Sequence, residues 1–266
     1  MLEKNESCQS QSWKKSWKRR KKAVDRLGGI DKFIQKGDVV FLKPNFNTAD
    51  PFPASTDLNF LKIIVKLCYR AQAKMVLVGD SPTMTRNSRK VFEKLNVFKL
   101  QELTPAARVY LFDEEKWQTE KIPKGKYLRM VKIPEIVRRA DKLIFLPCLK
   151  THKYAEFTGA LKLTVGFMAP PQRLALHMRR LQEKIAELNT IFHPNLIIMD
   201  ARKCFINEGP SSGEIKKPNL ILASESRVAI DIEGVKIIQS YPGNSLVGIE
   251  PKSLTQIKKA MEIGIA

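Results

Sequence analysis

Cysteine is scarce in this 266-residue chain. Its four cysteines, Cys8, Cys68, Cys148 and Cys204, are widely scattered. None stands in a Cys-x-x-Cys pair, which argues against zinc or an iron–sulfur cluster bound by the cysteines of this chain alone. Long apolar runs are missing too, and none approaches the roughly 18 residues of a membrane span. Basic residues precede Ala23 and Val24, but no apolar stretch long enough for a secretory signal follows them. The expected location is therefore the cytoplasm, with no membrane as partner. The Walker loop, the Gly-x-Gly-x-x-Gly fingerprint, the His-Glu-x-x-His helix and a Ser–His–Asp signature are all absent, so no nucleotide or hydrolase motif announces the chemistry. There is no internal repeat and no low-complexity linker.

Acidic residues are outnumbered. Lys and Arg total 47 against 27 Asp and Glu, a formal charge of +20. Such an excess points to nucleic acid, anionic surfaces or anionic metabolites as partners, and also describes the Lys-rich surfaces of heat-stable proteins. Between Lys14 and Lys22, seven of nine residues are basic. Trp13, Trp17, Val24 and Leu27 recur there at helical spacing. That spacing predicts a basic N-terminal helix, within residues 1–35, docking its tryptophans on the body, and Gly28-Gly29 ends it. Aromatic residues between cations also suit a nucleic-acid patch.

Five apolar runs organise the rest. Val39–Leu42 leads into Lys43-Pro44-Asn45, and Met75–Val78 into Gly79-Asp80-Ser81-Pro82. Leu143–Leu146 leads into Pro147-Cys148-Leu149-Lys150-Thr151-His152, Leu196–Met199 into Asp200, and Leu220–Ala223 into Ser224. Short runs without alternation fit strands buried on both faces. Helical patterns lie between them at 57–72, with Ser55-Thr56-Asp57 as N-cap chemistry, near 86–95 and over 226–239. A strand is expected at 107–112, a hairpin over 117–133 and a short helix near 134–140. Helices are expected at 158–167 and 170–192, the second with the stripe Leu174, Met178, Leu181, Ile185, Leu188, Phe192. A last helix begins at Lys252. The alternation predicts one α/β domain over 36–266, a doubly wound, mostly parallel sheet with helices on both faces. Ligands in such sheets collect beyond the carboxyl ends of the strands.

The polar residues at those ends are the candidates for chemistry. Lys150 and His152 stand two apart past a strand, a fixed cation beside a group that titrates near neutral pH. Thr158 and Gly159 open a helix whose free N–H groups could seat an anion, with Lys162 as a second cation. Lys43 and Asn45 sit at one strand end; Asp80 and Ser81 form a turn at another. His177 borders the apolar stripe. Glu208 and Gly209 begin a glycine-containing loop that could approach a ligand. Asp200 and Asp231 could hold a divalent metal. Cys148, with Lys150 and His152 nearby, reads either as an activated thiol or, more simply, as a packed small residue.

The segments Lys43-Pro44-Asn45, Gly79-Asp80-Ser81, Pro147 to His152, Thr158-Gly159-Ala160-Leu161-Lys162, Glu208-Gly209-Pro210 with Gly213, and Leu222-Ala223-Ser224 to Ala229-Ile230-Asp231 occur in an order that resembles domain-of-unknown-function family 362. The resemblance spans about residues 35–240, and its most specific part is the block from Lys150 to Lys162. It implies an α/β fold and a site without naming a reaction. Some relatives carry a ferredoxin-like cysteine module; this chain lacks those cysteines, so an electron-transfer role would imply a separate iron–sulfur partner. The chain departs from the pattern at Leu163, where relatives tend to have asparagine, and at Gln72, where a helix-ending glycine is common. Three functions follow as expectations. The first is an enzyme or binding domain for an anionic carboxylate or phosphate, with Lys150, His152 and His177 as its reacting groups. The alternatives are a nucleic-acid-associated protein and an accessory redox protein.

Overall fold

The computed structural model describes residues 22–265 apart from Pro105. Most of the expected basic helix, with Trp13 and Trp17, lies outside those residues. One helical turn over 22–25 is described, and its Val24 is buried in the same core that Leu27 packs against.

A mostly parallel sheet forms the centre. Its strands are β1 (Val39–Lys43), β2 (Met75–Asp80), β3 (Ala107–Leu111), β6 (Lys142–Phe145), β7 (Cys148–His152), β8 (Glu156–Thr158) and β9 (Leu196–Phe205), in the spatial order β3-β2-β1-β6-β9-β7-β8. A separate antiparallel hairpin, β4 (Trp117–Lys121) with β5 (Met130–Pro134), stands where the sequence predicts one. Two further strands, β10 (Ile215–Lys216) and β11 (Leu220–Ser224), pair antiparallel with β9.

Successive side chains of a strand point to opposite faces, and here both faces are covered. Phe41, Leu77, Phe145, Ile197 and Met199 enter one core, while Val40, Leu42, Val76, Val78, Ile144 and Ile198 enter the other. Burial on both sides explains why these runs are apolar throughout. The second core is closed by α1 (Leu58–Arg70) and α2 (Ser88–Lys94), which contribute Phe60, Ile64, Val91 and Phe92. The first is closed by α5 (Leu181–Leu188), α6 (Arg227–Gln239) and α7 (Thr255–Glu262), through Ile185, Leu188, Val235, Ile238 and Ile257. The expected cap holds, with Asp57 accepting from the Phe60 amide. Ser226 likewise caps α6 by accepting from the Ala229 amide. Gln72 takes φ 61°, the left-handed conformation that a helix-ending glycine adopts more cheaply, at a cost of at most about 1 kcal/mol.

Three expectations fail locally. The helix expected over 170–192 is two helices, α4 (Pro170–Met178) and α5, separated by an extended Arg179 and a left-handed Arg180. The break lets α4 rotate Leu176 and Arg173 inward, which leaves Leu174 and Met178 exposed and interrupts the apolar stripe. Lys150-Thr151-His152 is not a loop beyond a strand but the body of β7, which continues the line of β6 after Pro147; both pair parallel with β9. Finally, β11 runs against β9, with Ser224 opposite Ile197 near that strand's start. Its carboxyl end therefore lies on the opposite rim from the ends of β1 and β2. Among the described residues no helix is long and apolar enough to cross a membrane.

Candidate functional site

The strand order reverses at β1, whose neighbours are β2 on one side and β6 on the other. Connections leave such a point in opposite directions and open a crevice at the strand ends. A cavity of about 340 Å³ lies there. Lys43 reaches it from the end of β1, Asp80 and Ser81 from the end of β2, Lys150 and His152 from β7, and Thr158 from β8. Lys162 enters from α3 (Ala160–Leu163), and Arg173 and His177 from α4.

Its deepest part is a fixed ion pair. Lys43 Nζ donates to Asp80 Oδ1 at 2.6 Å and to the Pro44 carbonyl at 2.8 Å, with both side chains almost wholly buried. The same carboxylate accepts from the amides of Ser81 and Phe46. Asp80 thus accepts three hydrogen bonds, which hold Lys43 and the two loops in place. Phe167 lies beneath, with Lys43 Nζ 5.3 Å from its ring centroid. Gly166 passes so close that a β-carbon there would stand 2.6 Å from Asp80 Oδ1 and 2.7 Å from Lys43 Nζ.

Among the described residues the remaining cavity cations pair with no carboxylate of their own. Buried Lys150 donates to the Ala54 carbonyl, which leaves its other N–H groups free to turn toward the cavity. Lys162 forms no ion pair among the described residues; burial, and then the nearby Lys150 charge, lower its pKa to about 8. Burial likewise lowers that of Lys150. Arg173 donates to the carbonyls of Ser81 and Pro82 and to the Ser81 hydroxyl, stitching the β2 turn to α4, while its buried Nε is left without a partner. The buried Thr158 hydroxyl, on the cavity wall, also lacks a partner.

The histidines differ in an instructive way. His152 Nδ1 accepts from the amides of Tyr154 and Ala155, at 3.1 and 3.2 Å. Its proton must then sit on Nε2, because one nitrogen of a neutral imidazole donates while the other accepts. Burial, followed by the Lys162 and Lys150 charges, pushes its pKa down to about 2. It is thus a neutral hydrogen-bond donor, not the group titrating near neutral pH that the sequence suggests. His177 is held by the other ring contact: its Nδ1 lies 2.7 Å from the Arg173 carbonyl and must donate to it, and the residue lines the cavity.

Other expected residues lie elsewhere. Gly159 opens α3, but the seat there is taken: Asp231 accepts from the Ala160 and Leu161 amides at 2.6 and 3.0 Å. Gly159 makes this approach possible, since a β-carbon would stand 2.1 Å from the carboxylate. Asp200 is not at a strand end but inside β9, gripped by Arg202 at 2.6 Å. The two aspartates thus neither meet nor offer free oxygens for a metal. Among the described residues no group of three or more His, Cys, Asp or Glu side chains could hold one. Glu208 and Gly209 do not line the cavity; the following Pro210 does. Ser224, on the far rim, accepts from the Ser226 amide in a helix-capping turn. The Cys148 thiol is pushed up to about 12 by burial, so it is a packed residue rather than a nucleophile. Sequence reading missed Arg173. Its only signal was its place four residues before His177, one helical turn away on the same face.

A two-faced α/β sheet with a cation-lined crevice at its strand-order switch defines the class: a doubly wound domain with a ligand-type cleft. The chain belongs to the family described as Domain of unknown function (DUF362), whose model matches residues 40–236. It is similar to a thylakoid-associated protein of Synechocystis sp., 27% identical over 227 residues that cover 82% of this chain and 68% of the relative. Among solved structures it resembles the lactate racemase apoprotein from Thermoanaerobacterium thermosaccharolyticum, with TM-score 0.54 and 14% identity. That match covers 84% of this chain but 54% of the racemase, so the chain spans about half of that protein's length. At this identity the likeness concerns the fold.

Proposed function

We propose that the cavity binds a small anion, a carboxylate or a phosphate, and that the two histidines face it as hydrogen-bond donor and proton acceptor. One observation carries the reading: Lys43, Lys150, Lys162 and Arg173 line the cavity against Asp80 alone, which Lys43 already occupies. Burying uncompensated positive charge is costly, and a ligand of opposite sign removes the cost. The unpartnered Thr158 hydroxyl and Arg173 Nε support it, since buried polar groups are seldom left unmatched.

In this reading Lys150 and Lys162 hold the charge, and Thr158 and His152 Nε2 orient the anion through neutral donors. His177 Nε2 is the group able to take a proton from a bound molecule. A domain so equipped would serve proton transfer next to the anionic group, or binding alone. The test is calorimetric titration with inorganic phosphate and with acetate, on the full chain and on Lys162→Met. The methionine keeps the stem and removes the charge. Loss of one charge-assisted contact is worth roughly 1.5–3 kcal/mol, so affinity should fall about tenfold or more. An unchanged affinity, or no binding of either anion by the parent chain, would sink the reading.

A further inference from the structure

We infer that the ligand is an amphiphilic anion, whose charged head sits on the lysines and whose apolar portion leaves through the mouth over Met84, Tyr154 and Leu174. This deepens the anion-binding reading and rests on it. At about 340 Å³ the cavity has room for roughly ten water-sized groups, more than a bare phosphate or acetate fills. Its wall changes character with depth. Lys43, Lys150, Arg173 and Asp80 are buried and Lys162 is half-buried, whereas Met84, Tyr154 and Leu174 line the same cavity and are 40%, 67% and 58% exposed. Leu163 and Val165 extend the apolar wall inward.

The helix that carries Leu174 divides its apolar residues. A surface helix ordinarily turns its apolar face to the core. In α4 Leu176 does so, but the guanidinium of Arg173 is buried beside it, while Leu174 and Met178 stand in solvent. Arg173, Leu174 and His177 all line the cavity, so this helix offers it both polar groups and an exposed apolar one. Exposed apolar groups that are continuous with a charged crevice have a natural occupant in the ligand's own tail, since each methylene it buries strengthens binding by roughly fourfold.

The experiment compares affinities of the full chain for two series: inorganic phosphate, butyl phosphate and octyl phosphate; acetate, butyrate and octanoate. Octyl glucoside, the same tail on a neutral head, serves as control. The tail should strengthen binding by about tenfold or more within at least one series, with no comparable binding of octyl glucoside. The series that responds identifies the head. In Leu174→Ser the ratio of long-chain to short-chain affinity should shrink several-fold. The position is exposed, so the substitution leaves the core intact. If the short anions bind but chain length has no effect, the tail inference falls while the anion site stands. If no anion of either series binds, both fall. If tail length has no effect and sedimentation reveals self-association that Leu174→Ser abolishes, a second copy covers the mouth and the inference is wrong.

Discussion

On one side of α3 the Asp231 carboxylate accepts from the amides of Ala160 and Leu161. Across the same short helix, Lys150, Lys162 and Arg173 face a cavity whose lining carboxylate is bound to Lys43. Both regions bury charge. The first fills a helix start with a carboxyl group of the protein itself. The second gathers cations around a carboxylate that Lys43 already occupies. Folding alone explains the Asp231 cluster, because each orphan donor it satisfies would otherwise cost free energy. It does not explain the cavity, where the unmatched cations oppose stability. A residue can be buried, charged and purely architectural, and only the sum over its neighbours separates that case from a site.

The comparison can be broken from either side. The largest effect is expected at the buried Lys43–Asp80 pair. Asp80→Ala strands Lys43 and two amides, and chemical denaturation should show a loss of about 3–5 kcal/mol. A loss below about 1 kcal/mol would mean that the ion pair is not what holds the crevice. Asp231→Ala should come next, at about 2–4 kcal/mol, because two buried amides lose their acceptor. Burial pushes the Asp231 carboxyl up to about 7. Its folded pKa thus exceeds the unfolded one, so its stabilising contribution is full below about pH 4 and is lost as pH rises through about 7. Asp231→Asn should flatten that part of the stability–pH curve, measured by thermal melts. The smallest effect belongs to the open side. Lys162, with a pKa near 8, should regain basicity when an anion binds. Phosphate affinity should therefore be highest below pH 8 and weaken above it, by at most about tenfold per pH unit. A flat profile from pH 7 to 9.5 would remove Lys162 from the site.

Much of this was legible in the residues, for reasons that also mark where reading stops. Runs such as Val39–Leu42 and Met75–Val78 are apolar because both faces of their strands are covered, and burial is what a pattern of side chains records. Lys43 and Asp80 stood out because strand ends are where buried runs turn polar, and the structure brings them to one cavity with Lys150, His152 and Lys162. Strand direction leaves no such trace. β11 has the composition of its parallel neighbours, so Ser224 was assigned to the wrong rim. β7 was hidden because Pro147 interrupts the line of β6 and because the cavity requires polar side chains on a buried strand. The helix start after Gly159 is occupied by Asp231, which lies 71 residues beyond Ala160 in sequence, a pairing that no local pattern encodes. Arg173 was invisible because its inward turn follows from tertiary hydrogen bonds to Ser81 and Pro82, which no helical periodicity encodes.

Gly166 has a consequence for how such a chain can change over time. Its backbone lies against Asp80 and Lys43 with no room for a methyl group. Alanine at 166 would force the aspartate–lysine couple to shift, and losing that couple is itself costly. The three positions therefore constrain one another, and a change at any of them favours compensating change at the others.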